Sequence, residues 1–167
     1  MKAQRGRQTT QLDRGFTLIE LMIVIVIIGI TAAIAVPLMS SAASVQIRAA
    51  GGIVAADLEY AKSRAIATGQ QHKVVFDVGN DSYEILDSGN NSIEHPVTKK
   101  NAYVVDFAAD GRLDRVSIQS AVFGAGSTVT FDSLGSPDNG GSVVLQAGGI
   151  GRTVTVEPVT GFISVSD

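Results

Sequence analysis

The chain of 167 residues contains no cysteine. That excludes a disulfide, a thiolate nucleophile and a thiolate metal site. Histidine is scarce as well: His72 and His95 are the only two, and neither has a partner at ligand-type spacing. His72 follows a polar turn at the start of a predicted strand and reads as a surface residue. No Gly-x-Ser-x-Gly elbow occurs. The run Gly148-Gly149-Ile150-Gly151 lies between strands and opens no helix, so it lacks the context of a phosphate loop. Catalysis finds no foothold, no cofactor is implied, and the chain reads as a non-enzyme.

Charge is missing most clearly from residues 16–36, which hold 21 residues without Lys, Arg, Asp, His, Asn, Gln or Pro. The one charge there is Glu20. At about 1.5 Å per residue such a helix is long enough to cross a bilayer. A carboxylate near the centre of a span costs on the order of 2.5–3.5 kcal/mol, and less toward its end, so an intramembrane acid needs a partner. A cut between Gly15 and Phe16 would create an ammonium group one helical turn from Glu20. Before the span, Lys2, Arg5, Arg7 and Arg14 stand against Asp13. Positive residues stay cytoplasmic, so the C-terminal domain is expected on the far side of the membrane. A secretory signal with Ala33-Ile34-Ala35 as its cleavage site fits less well, because Glu20 interrupts the core and the run exceeds the usual 7–15 residues. A plain single-span anchor explains the length and leaves the glutamate unexplained.

The basic leader followed by Gly15-Phe16-Thr17-Leu18-Ile19-Glu20 resembles the class III leader of type IV pilins and type II secretion pseudopilins. The resemblance implies removal of residues 1–15 by a prepilin peptidase, with N-methylation of Phe16. It also implies that Glu20 pairs with the terminal amine of a neighbouring subunit during filament assembly. Residues 16–36 then form a transmembrane and assembly segment. Many major pilins of this kind close a C-terminal loop with a cysteine pair, which this chain cannot do.

Beyond the span the apolar period is helical. Ile47, Ala50, Val54, Leu58, Ala61 and Ala65 recur at spacings of three and four, on one face. Arg48, Asp57, Glu59, Lys62 and Arg64 fall largely off that stripe, and Glu59 and Lys62 are spaced to pair. Pro37 is expected to bend the helix where the membrane ends, and Gly69 to cap it. Residues 37–69 are thus an amphipathic continuation, and a continuous helix over 16–68 would measure about 80 Å. After Gly69 the pattern becomes short strands: 73–78 and 82–86 around Gly79-Asn80-Asp81, then 103–107, 116–118, 128–131, 142–145, 153–156 and 162–165. Thr160-Gly161 predicts a tight turn between the last two. A long helix followed by antiparallel strands predicts an α+β domain, with residues 70–167 as a β-rich globular unit on the helix.

Three segments resemble a narrower family, the minor pseudopilin H family, which includes the FimT-type minor pilins. These are the helix end at residues 58–70, the Phe131-x-x-x-Gly135 strand and turn, and the closing hairpin from Arg152 to Ile163. With the leader the resemblance covers most of the chain, although residues 85–125 carry little of it. It implies a pilin-like fold and a minor subunit that primes or caps a type II secretion pseudopilus. The implied partners are the prepilin peptidase, other major and minor pseudopilins or pilins, an inner-membrane assembly platform and the membrane itself. A FimT-like minor pilin of a type IV pilus, in assembly or DNA uptake, is the alternative. The lack of cysteine, the closing hairpin and a C-terminal end without basic residues lean toward secretion.

Nucleic acid is not an expected partner. The chain has thirteen basic and sixteen acidic residues, four and one of them in residues 1–15, which leaves nine against fifteen and a mature charge near −6. DNA binding needs clustered cations. Lys99-Lys100 and Arg112/Arg115 are small groups in loops. Asp132, Asp138 and Asn139 flank a Gly/Pro turn and have calcium-type oxygens. Turns favour Asp and Asn in any case, so no metal is expected, with Asp132 and Asp138 as the candidates.

Overall fold

A computed structural model describes residues 16–167, without the side chains of 33–41. Helix α1 spans Leu18–Thr68. It is followed by β1 (His72–Asp77), a 3-10 turn (Val78–Asn80), β2 (Ser82–Leu86), β3 (Val104–Asp106), β4 (Ser117–Phe123), β5 (Thr128–Phe131), β6 (Gly141–Ala147), β7 (Ile150–Val156) and β8 (Ile163–Ser166). The chain divides into two compact units, Met1–Leu38 and Met39–Asp167, each with its own contacts. The division falls beside Pro37. The α1 assignment runs through Pro37, and its side chain lies outside the described residues.

In the second unit the whole predicted stripe is buried: Ile47 and, at 0 %, Ala50, Val54, Leu58, Ala61 and Ala65. Burial of each large member contributes roughly 1.5–3 kcal/mol. The helix stops at Gly69, whose φ of +65° is the left-handed cap that the sequence predicts.

All strand pairs are antiparallel, in two four-stranded sheets of order β3-β2-β1-β5 and β4-β6-β7-β8. Ring contacts join them. Phe76 of β1 stacks on Phe123 of β4 at 5.8 Å and meets Tyr83 of β2 at 5.3 Å. Asp77 accepts from Gly79 and Asn80 N–H groups and so starts the 3-10 turn. Asp81 Oδ1 accepts the Ile118 N–H at 2.6 Å, tying that turn to β4.

Three expectations are corrected. His72 is buried, because it heads the inward phase His72, Val74, Phe76 of β1. The strand expected at 116–118 runs on to Phe123, past a register shift between Ile118 and Ser120 that breaks the alternation. The connection of β7 to β8 is no tight turn. Residues 157–162 separate the paired Val156 and Ile163, closed by Glu157 N–H to the Phe162 carbonyl at 2.8 Å and Gly161 N–H to the Glu157 carbonyl at 3.0 Å.

Asp57 carries the main polar contact between helix and strands. One of its carboxylate oxygens accepts the Tyr83 hydroxyl at 2.6 Å and the other the Tyr103 hydroxyl at 2.8 Å. Burial pushes the Asp57 carboxyl above its usual range, and the two tyrosine hydrogen bonds and His95 offset that only in part. Burial and the neighbouring carboxylate push Tyr83 and Tyr103 upward in turn.

Leu58→Ala is expected to lower the unfolding free energy by about 2–5 kcal/mol, read from urea denaturation in detergent. A carboxyl raised in the folded state binds more protons folded than unfolded between the two values. Its contribution is therefore full below the ordinary carboxylate range and is lost as pH rises through the raised value. The stability difference between wild type and Asp57→Asn should accordingly shift against wild type as pH rises out of that range. A pH-independent difference would refute this.

Candidate assembly site

Helix α1 begins with a cap. Thr17 offers its carbonyl to the Leu21 N–H at 3.2 Å, and its Oγ1 accepts the Glu20 N–H at 3.3 Å. Thr-Leu-Ile-Glu has the T-x-x-E spacing of a capping box, a signal that sits inside the leader motif and was hidden by the apolar run. It places Glu20 in the first turn of α1, where the positive end of the helix dipole favours a carboxylate.

Over residues 18–32 no face of the helix is sheltered. Leu18, Ile19, Leu21, Met22, Ile23, Val24, Ile25, Val26, Ile27, Ile28 and Ile30 are all exposed. A helix apolar all round is one meant to be covered. Thr31 Oγ1 donates to the Ile27 carbonyl at 2.9 Å and so satisfies its hydroxyl within the helix. Glu20 has no ion-pair partner among the described residues. Gly15 lies outside them. Among the described residues, no helix is long and apolar enough to cross a membrane. The expected span of 16–36 runs into the segment whose side chains are not described.

The other sequence candidates do not converge on a site. Asp132 Oδ1 accepts the Leu134 and Ser136 N–H groups and closes a turn, and Asp138 Oδ1 accepts those of Thr130 in β5 and of Asn139, so both acids serve local backbone. No group of three or more His, Asp or Glu among the described residues could hold a metal ion. In the basic loops, Arg112 binds Asp110 in a fork, with Nη2 to Oδ2 at 2.7 Å, which holds the Asp110 carboxyl down to about 2. Lys99 lies 3.7 Å from Glu94. These cations therefore face acids of their own loops.

Sequence reasoning missed the surroundings of Asp57. A cleft of about 650 Å³ opens there, lined among others by Ile53, Asp57, His95, Tyr103, Val104 and Leu113. His95 stacks on Tyr103 at 4.3 Å, and its Nδ1 accepts the Val97 and Thr98 N–H groups. His95 is engaged by its own loop, and the tyrosines already serve Asp57. The group is packing chemistry at a cleft wall.

Comparison with known proteins agrees with this division. The family model for the prokaryotic N-terminal methylation motif matches residues 11–36. That for type II transport protein GspH matches residues 53–160. Among solved structures, the minor pseudopilin EpsH of the type 2 secretion system of Vibrio cholerae is similar in fold. It has a TM-score of 0.50 and 14% identity, over 71% of this chain and 94% of that one. The type IV minor pilin FimU of Pseudomonas aeruginosa has a TM-score of 0.49 and 18% identity, over 72% and 92%. No curated protein matches the chain.

The cap supplies its own test. Thr17→Ala in the unprocessed chain removes one acceptor at a cost of about 1 kcal/mol, so the Glu20 amide should exchange with solvent deuterium roughly fivefold faster in micelles. Unchanged exchange would mean that Thr17 does not cap the helix.

Proposed function

Because the chain belongs to the type II transport protein GspH family, we propose that it is a minor pseudopilin of a type II secretion pseudopilus that helps to prime or cap the filament. Its role as a minor pseudopilin or pilin follows from the family, as does assembly with other pilin-type subunits after processing by a prepilin peptidase. The family is one of membrane-anchored structural subunits, and the protein is not an enzyme.

The observation that carries the mechanism is a helix exposed and apolar on every side, with one acid in its first turn. In this reading residues 1–15 are the leader, cleaved between Gly15 and Phe16, and Phe16 becomes the methylated N-terminus. Residues 16–36 span the inner membrane with the globular domain in the periplasm, and Pro37 bends the helix beyond it. Helices in lipid associate by packing and polar pairing, and Glu20 lowers its own cost by meeting a cation. The Phe16 amine of a neighbouring subunit supplies that cation and sets the axial register. The inner-membrane platform then drives the extracted subunit into the filament.

The absence of cysteine, the closing hairpin and a C-terminal end without basic residues favour secretion over a type IV pilus. The acidic mature chain and the pairing of Arg112 with Asp110 argue against a DNA receptor.

Glu20→Ala should leave membrane insertion intact and abolish recovery in the filament fraction. Normal co-assembly of that variant would sink the pairing. A bulky residue at Gly15 should block processing. Intact-mass analysis of the wild type should find a chain starting at Phe16 and one methyl group heavier. Crosslinked pull-down from native membranes separates the two systems: minor pseudopilins and a secretin support secretion, whereas pilus minor subunits with a retraction motor's platform overturn it.

A further inference from the structure

The two turns around Gly135 and Gly161 lie together at the C-terminal end of α1, and neither has a part in anchoring. Lys62 Nζ donates to the Gly161 carbonyl at 2.9 Å. The Ser136 hydroxyl donates to the Val159 carbonyl. A Cβ added at Gly161 would stand 2.7 Å from the Gly135 carbonyl oxygen, and one added at Gly135 would stand 2.8 Å from Ile66 Cδ1. Asp132 fixes the first turn through two N–H groups. The two loops and the helix end therefore form one rigid frame.

That frame holds apolar side chains out to solvent: Leu134 at 84%, Val159 at 77%, Phe162 at 61% and Ile66 at 51% exposure. Val159 does so at φ +72°, a conformation that a β-branched residue adopts only under constraint. An isolated domain gains nothing from a strained backbone that presents valine to water. Together the four expose on the order of 500 Å² of apolar surface, at the upper end of what monomers show and a common mark of an interaction site. A standard interface buries about 800 Å² per partner, a little over half of it apolar, so the patch has the apolar area of one such face.

We propose that this patch is the docking face for the globular domain of a neighbouring pilin-type subunit, one that presents an apolar, uncharged surface to it. The inference rests on the filament reading above. The family is one of subunits that assemble with other pilin-type subunits, and the apolar area of the patch matches one face of a standard interface. The patch adds a contact, rigid in advance, that distinguishes among neighbours sharing the same leader motif.

The test uses the full chain, produced in its own cells with its partner subunits. A photo-crosslinking phenylalanine analogue replaces Leu134, and in a separate variant Ile27, and the products are identified by mass spectrometry. Position 134 is expected to capture another pilin-type subunit. The variant Leu134→Lys/Val159→Lys is expected to lower recovery in the filament fraction by about thirtyfold, the size of one interface hot spot, with an unchanged melting temperature. Capture at 134 of only a second copy, of lipid or of nothing, while Ile27 still captures pilin-type subunits, overturns the docking face and leaves the filament reading standing. Undiminished filament recovery of the lysine variant has the same meaning. If neither position captures a pilin-type subunit, both readings fall.

Discussion

The globular unit depends on how closely its strands can approach α1. Seven residues on one face are buried, Ala43, Ile47, Ala50, Val54, Leu58, Ala61 and Ala65, and most are alanine. Small side chains keep the helix backbone near the sheets, so large groups from the strands lie across it. The Arg152 stem crosses Gly51, where an added Cβ would be only 2.9 Å from Arg152 Cδ. From there Arg152 reaches Asp167 at 3.0 Å. Tyr83 and Tyr103 span the remaining gap with their hydroxyls, and Asp57 is the one acid placed to receive both. A carboxylate removed from water is costly, and two O–H donors offset part of that cost. Close approach makes this contact possible and also makes it necessary.

Much of this was legible in the sequence because it is periodic. The stripe, the end of the helix at Thr68 and the bounds of β2 and β5 all follow from local spacing. Features that depend on phase or on distant partners did not follow. The polar turn before His72 suggests a surface residue, whereas the phase it shares with Val74 and Phe76 carries it inward. The irregularity after Ile118 hid the rest of β4. Helical spacing puts Asp57 off the apolar stripe, and its partners lie 26 and 46 residues away, beyond the reach of local spacing. Residues 87–102 lack regular strands, yet Ile93 within them and Phe107 and Leu113 beyond are buried. Only a folded chain brings these loops under cover. In the candidate site, Glu20 was visible as a lone charge, while Thr17 looked like one more residue of the run.

The two compact units solve opposite problems with a single helix. The second buries one stripe and leaves its flanks polar, as a surface helix does. The first has no stripe, and its acid is set at the helix start, where backbone N–H groups already favour negative charge. Burial in the one is supplied by the chain's own strands. In the other, no described side chain of residues 16–32 is covered.

Chain order gives the Lys62 contact with Gly161 a further meaning. The helix is synthesised first, and the carbonyl that Lys62 binds arrives 99 residues later. The final strand, Ile163–Ser166, follows directly on that contact. The tyrosines that reach Asp57 come 26 and 46 residues after it, but cover at the helix end waits for residues much further along the chain. Contacts so far apart in sequence form slowly and leave sticky intermediates. A chain lacking residues 163–167 would lose both β8 and the Asp167 partner of Arg152, so the cover over Gly51 depends on the residues most distant from the helix in sequence.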